Sequence, residues 1–383
     1  MKEYFCKKEY KYMYLSTISY SFANTLIGTF GTVMLYKNGI PIWLILLIYG
    51  LRFGLTGFTT PLFVTISSKL GIAKCILTSN IFSIICAYIM LDGTNLYQNI
   101  VIFILAMGFM GLSNPLNDSL SSKYVDTEYR GRYNSFINIS KIIGTALASC
   151  LVAWCVITEN NIILFSIITI FFVLQYIFIK KIDYKVENKT SAFKATMKYI
   201  FKSKSRYKII YALTTNQIIE KQFAPLYLYI VLKNFSVFSS IVIASLLLQI
   251  VTIILIGKYS DKNLSKANNL VTFIKATITG VYLVARNKVI ISLNSTLSDN
   301  FAKVYETSIQ TSIQNIIKNL KEDSDLLSAV GQMSLCFTEV IIFTILSILS
   351  IFVGEKIFYI IFILSMISTI GINFNIKKEN LQK

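Results

Sequence analysis

Apolar runs near twenty residues long follow one another along almost the whole 383-residue chain. At 1.5 Å of rise per helical residue, a run of about 20 crosses a hydrocarbon layer of about 30 Å. In lipid a backbone must satisfy its own polar groups, so serial runs of this length fold as helices. They lie at 13–36, 42–67, 73–91, 98–121, 134–157, 161–180, 208–232, 236–257, 268–286, 289–315, 328–352 and 356–374. The tenth stands apart, because it is rich in Ser, Thr, Asn and charge. The reading is an all-α membrane protein of about 12 transmembrane helices, with no stretch left for a separate soluble domain.

Composition agrees. Charged residues make up 15% of the chain, against roughly 25% in soluble domains. The net charge of +18 would suggest nucleic acid if it formed one basic face. Here the lysines fall between apolar runs, so no nucleic-acid partner is expected. There is no histidine, which removes imidazole acid–base chemistry and most zinc and haem ligation. Six scattered cysteines lack metal-ligand spacing and read as small buried hydrophobes. No cofactor or metal is expected. The first run is too long for a signal-peptide core and no small-residue cleavage site follows it, so it reads as an anchored helix. The strong excess of lysine over arginine, with abundant Ile, Asn and Tyr, reads as an AT-rich source, and the expected location is a bacterial inner (plasma) membrane.

Charge sets the orientation. With the N-terminus inside, the segments assigned to the cytoplasm hold 27 of the 37 basic residues and the outer loops hold five, Lys37, Lys233, Arg286, Lys288 and Lys356. That asymmetry supports the count of runs and places both termini in the cytoplasm. The polar, lysine-rich stretch 181–207 divides the chain at its midpoint into residues 1–180 and 208–383, with six runs on each side. Paired halves are a frequent plan in secondary transporters.

A short motif sits at equivalent loops of the two halves. After the eighth run the chain reads Gly257-Lys258-Tyr259-Ser260-Asp261-Lys262. After the second run, Lys69 and Gly71 hold the corresponding basic and glycine positions, without the first Gly or the Asp. An Arg130-Gly131-Arg132 turn follows the fourth run. In these features the chain resembles the major facilitator superfamily. The resemblance implies two six-helix bundles and a cytoplasmic latch made by Lys69, Gly71, Arg130, Arg132, Gly257, Asp261 and Lys262. In such a latch a carboxylate at a helix end bonds the amides and cations of the next helix. Drug/proton exporters of the family carry an Arg motif in the fourth helix and a Gly-Pro motif in the fifth. Neither is present here.

Ionisable groups inside a span cost roughly 2.5–3.5 kcal/mol each on insertion scales, so they turn toward a cavity or a partner. Asp299, Lys303, Glu306 and Gln310 recur at steps of four, three and four, on one helix face. Asn216, Gln217, Glu220 and Lys221 cluster ahead of Pro225, which cannot donate to the Lys221 carbonyl and is expected to kink its helix. Asn24, Asp118, Arg52, Lys141 and Glu339 complete the set. The resemblance implies that the first, fourth, seventh and tenth helices line a central cavity, flanked by the second, fifth, eighth and eleventh. These residues follow that scheme, and Lys275 in the ninth run departs from it. It reads as snorkelling to the inner surface. Glu220 and Lys221 read as able to neutralise each other, and Gly50 and Gly54 beside Arg52 as a close helix contact.

Charges across the expected cavity nearly balance, which favours a zwitterionic or neutral polar solute, such as an amino acid or sugar. The expected function is secondary active transport by alternating access, by a monomer, with the proton as candidate coupling ion and Glu339, Asp299 and Glu306 as candidate carriers. The alternatives are a membrane-embedded enzyme, which would need an interfacial catalytic set, and a transporter-like sensor without flux.

Overall fold

The computed structural model describes residues 8–92, 97–111, 130–182, 192–202, 206–262, 264–320 and 324–381. Among them the regular structure is entirely helical. The α-helices are α1 (Lys8–Gly28), α2 (Gly31–Lys37), α3 (Ile42–Leu70), α4 (Ile72–Asp92), α5 (Ile100–Met110), α6 (Arg130–Ile157) and α7 (Asn161–Lys180). Then come α8 (Ala192–Lys202), α9 (Tyr207–Leu232), α10 (Phe235–Lys262), α11 (Leu264–Val284), α12 (Lys288–Asn319), α13 (Ser324–Val353) and α14 (Ile357–Leu381).

Two elements differ from the sequence reading. The first run is broken. Both the Thr29 and Phe30 amides donate to the Thr25 carbonyl, and the bond series resumes with the Met34 amide on Phe30. The apolar run is continuous across this point, so hydropathy carries no sign of the break. Second, the lysine-rich midpoint contains helix α8, which packs on both α3 and α13. The polar tenth run is helical as expected, and forms the 32-residue helix α12. Its Asn287 cap accepts a hydrogen bond from the Val289 amide at 2.8 Å. The helix α9 continues through Pro225.

Helices before residue 182 pack mainly on one another, α1 on α6 and α7, α4 on α5 and α7, α3 on α5. Those after 206 do likewise, α14 on α9 and α11, α12 on α10 and α11, α13 on α9. Among the described residues the main contacts between the two sets are α3 with α13, α6 with α10, α6 with α12, and α2 with α9. The α3–α13 contact is the most intimate. A Cβ added at Gly50, Gly54 or Gly57 would lie 2.9, 3.0 and 3.0 Å from Phe343, Val340 and Cys336. Small residues at such spacing let helix backbones approach.

The outer surface is apolar. Ile162, Phe273, Val284 and Phe352 are each more than 70% exposed. In water such a surface would be an aggregation hazard; in a bilayer it meets acyl chains. Six described stretches are long and apolar enough to cross a membrane by length and composition: 42–60, 72–92, 133–157, 161–180, 235–252 and 329–379, the last covering α13 and α14. Helices α1, α9, α11 and α12 fall outside this set. Each carries polar or charged residues that the fold turns inward.

Candidate functional site

Between the two sets of helices lies a cavity of about 490 Å³. Its wall comes mostly from α1 and α12, with three residues each from α6, α9 and α10, two from α7 and one each from α4 and α13. Its volume is in the range of small-molecule pockets.

Six of the sequence-predicted site residues stand on this wall: Asn24, Lys141, Lys221, Asp299, Lys303 and Glu306. The helical face read from α12 is present as a whole, since Gln310 lines the cavity too. Glu306 is the hub. Its Oε2 accepts from Lys303 Nζ at 2.9 Å and from Lys221 Nζ at 3.4 Å. The first pair is one turn apart on α12, whereas the second joins α9 to α12. Lys141 stands on the wall from α6, within electrostatic reach of Glu306 and Lys303. Asp299 Oδ2 accepts from the Ser245 hydroxyl at 3.3 Å. Asn24 lies one turn before the break in the first span, where Thr25, Gly28 and Thr29 also reach the cavity.

Four expected residues lie off the wall. Glu220 faces the interior of the second half, because Lys275 meets it there. Lys275 Nζ is 2.6 Å from Glu220 Oε1, and both side chains are almost wholly buried. Thr279 and Ser298 donate to the same oxygen at 3.2 and 3.3 Å, and Ser365 donates to Oε2. This corrects two readings. Lys275 does not snorkel, and Glu220 pairs with it instead of with Lys221. Gln217 is also structural, its amide donating to the Ser365 carbonyl at 2.8 Å and to Thr369 Oγ1 at 2.5 Å. Arg52 and Glu339 lie within electrostatic reach of each other, away from the cavity wall. Arg52 stands over the rings of Phe53 and Tyr49, at 4.8 and 5.5 Å. Glu339 is fully buried, and among the described residues neither of its carboxyl oxygens accepts a hydrogen bond. Asp118 lies outside the described residues.

These placements change the charge balance of the cavity. The cavity itself holds three lysines and two acids, so the wall no longer favours a neutral or zwitterionic occupant.

Sequence spacing missed two features of the site. The network around Glu220 joins residues from α9, α11, α12 and α14, and spacing reports only one helix at a time. The contacts between halves on either side of the cavity are also polar or aromatic in ways no single run reveals. At one end the Thr32 hydroxyl donates to the Gln222 carbonyl at 2.9 Å, and Tyr36 and Tyr229 pack edge to face with centroids 6.4 Å apart. At the other, Asn138 donates to Thr307 at 2.8 Å, and Asn134 donates to Gln314 and Thr311 at 2.8 and 3.1 Å.

Of the latch positions, Lys69 ends α3 exposed. Gly71 has φ +83° and caps that helix, its amide donating to the Ser67 carbonyl at 2.9 Å, a conformation that suits glycine. Arg130 and Arg132 lie in the first turn of α6, and Gly257, Asp261 and Lys262 in the last turns of α10. Side-chain contacts at these five lie outside the described residues.

The profile of the Major Facilitator Superfamily matches residues 13–298. Among solved structures, the fold is similar to the human organic anion transporter MFSD10, with TM-score 0.69 at 12% identity over 97% of this chain and 99% of that one. It is also similar to a bacterial homologue of the iron transporter ferroportin in an outward-facing state, with TM-score 0.65 at 11% identity over 97% and 98%. The nucleoside transporter NupG gives 0.61 at 13% identity over 97% and 100%. No functionally curated protein matches the sequence.

Proposed function

The chain belongs to the Major Facilitator Superfamily, and from that premise we propose that it is a secondary active transporter moving a small polar solute across a bacterial inner membrane by alternating access. Twelve spans would form two six-helix halves, residues 1–180 and 208–383, joined by the basic segment 181–207, with both termini in the cytoplasm. In this assignment α1 and α2 together make the first span, α5 belongs to the fourth, and α8 lies in the joining segment.

One observation carries the reading. A cavity of about 490 Å³ lies between two helix sets, and five ionisable side chains line it. Charges in a membrane interior are costly unless they serve a water-filled path or a partner. The cavity offers them both, and it is contributed by the two halves whose relative motion would expose it to each side in turn.

Proton coupling is assigned to Glu339. A buried carboxylate with no hydrogen bond is expensive to keep charged, and proton uptake removes that cost without any change in packing. Arg52, within electrostatic reach, is the cation that would feel the change.

Reconstitution in sealed vesicles tests both parts. Saturable uptake of at least one labelled small solute is expected, with accumulation when an inward proton gradient is imposed. Glu339→Gln is expected to abolish accumulation while leaving downhill exchange intact. Inserted, monodisperse protein that moves none of a broad solute panel would overturn the transporter reading. Undiminished accumulation in Glu339→Gln would overturn only the coupling assignment.

A further inference from the structure

The cavity holds more cation than it has anion to bond. Glu306 is the shared acceptor of two lysines, and both Lys221 and Lys303 reach the same oxygen, Oε2. The remaining wall acid, Asp299, is hydrogen-bonded by Ser245. Glu220, adjacent to Lys221 in sequence, is held by Lys275 and three hydroxyls in the interior of the second half. Its charge is therefore already matched away from the cavity. Lys141 approaches from the opposite half and makes no hydrogen bond or ion pair of its own among the described residues. Three ammonium groups thus face one another across the gap, with one carboxylate oxygen between two of them.

Such an arrangement suits an incoming anion. Lysine ammoniums bind carboxylate and phosphate as strong point charges. Like charges drawn together at low dielectric repel, so an added anion relieves the wall where an added cation would aggravate it. The lysines also belong to different bodies. Lys141 is on α6, and Lys221 and Lys303 are on α9 and α12. An anion held by all three would tie the halves together across the gap.

We propose, resting on the transporter reading above, that the cavity binds a small organic anion through a carboxylate or phosphate group held by Lys141, Lys221 and Lys303, with Glu306 as the internal counter-ion it displaces. Glu306 keeps two of the lysines neutralised when the site is empty. The anion takes them over, and Lys141 supplies the contact that the empty site lacks.

The test uses full-length protein in vesicles and five labelled probes of similar size: succinate, glycerol 3-phosphate, alanine, glucose and putrescine. Saturable uptake of succinate or glycerol 3-phosphate is expected, and the preference between them separates a carboxylate site from a phosphate site. Lys141→Gln breaks no hydrogen bond or ion pair among the described residues and should raise the anion KM at least tenfold with the protein still monodisperse. Glu306→Gln frees Lys221 and Lys303 and should lower that KM several-fold. Should Glu306→Gln fail to fold, Lys141→Gln decides alone. Uptake of alanine, glucose or putrescine without either anion would overturn the inference and leave the transporter reading standing, as would an anion KM unchanged in Lys141→Gln. Absence of saturable uptake for all five probes would overturn the inference, while the transporter reading falls only if the broad solute panel fails too.

Discussion

Lys275 and Glu220 lie 55 residues apart, yet they meet at 2.6 Å in a place water does not reach. Removing one member of such a pair leaves a charge without its partner, at a typical cost of about 3–5 kcal/mol, whereas replacing both is far milder. Lys275→Met alone is therefore expected to lower the detergent-solubilised protein's unfolding free energy by about 3 kcal/mol. The double variant Lys275→Met, Glu220→Gln should recover much of that loss, since the glutamine oxygen still accepts from Thr279 and Ser298. Equilibrium unfolding of the wild type, both single variants and the double variant in mixed detergent measures it, and additive losses would show that the pair is uncoupled. The same pair marks what spacing can convey. The i, i+4 and i+7 pattern placed Asp299, Lys303 and Glu306 on one face, because that follows from helix geometry alone. Which face meets which neighbour is a property of four packed helices, so the partner of Lys275 could not be read from its own run.

At the scale of elements, the helices owe their positions to places where side chains are missing. On α6, a Cβ at Gly144 would lie 2.3 Å from the Ile18 carbonyl oxygen and 3.0 Å from the Phe22 amide. Those are backbone atoms of α1, which cannot rotate aside. Gly144→Ala must push α1, a cavity wall, away from α6, and overpacking of this kind costs about 1–3 kcal/mol. Gly280 on α11 is the control, for there a Cβ meets only Met366 Sδ at 3.6 Å, an ordinary contact. Gly144→Ala should lower the melting temperature measurably and Gly280→Ala should not. Equal behaviour of the two would mean that the α1–α6 approach is not as close as described. Elements were legible where lipid dictates them, as in α3, α4, α6, α7 and α14, whose apolar lengths announce a span. Gly28 and Gly31 flank the break in the first span, but hydropathy sums over such a break. In α8, Lys194 and Lys198 gave the segment the look of a loop, while Tyr199 and Ile200 pack against the core from the same short helix.

For the molecule as a whole, the contacts between halves lie on both sides of the cavity. Phe30, Thr32 and Tyr36 meet the second half at one end, and Asn134 and Asn138 meet α12 at the other. Widening the gap between the halves at either end parts one of these sets. Because each half is internally packed, parting one set while the other holds is a rotation of two bodies about the cavity. Spin labels can follow it. One pair, at Glu159 and Lys233, sits in exposed loops between helices of the two halves. The other, at Lys69 and Lys318, sits on the exposed opposite ends of α3 and α12. Pulsed dipolar spectroscopy in lipid nanodiscs should give a broad or two-peaked distance distribution for each pair. Any condition that lengthens one should shorten the other. A change of only a few ångströms would already resolve this, because rocking about a central point magnifies displacement at the ends. Two narrow distributions that stay fixed when probe anions are added would mean a rigid body with a permanent cavity, and alternating access would have to be abandoned.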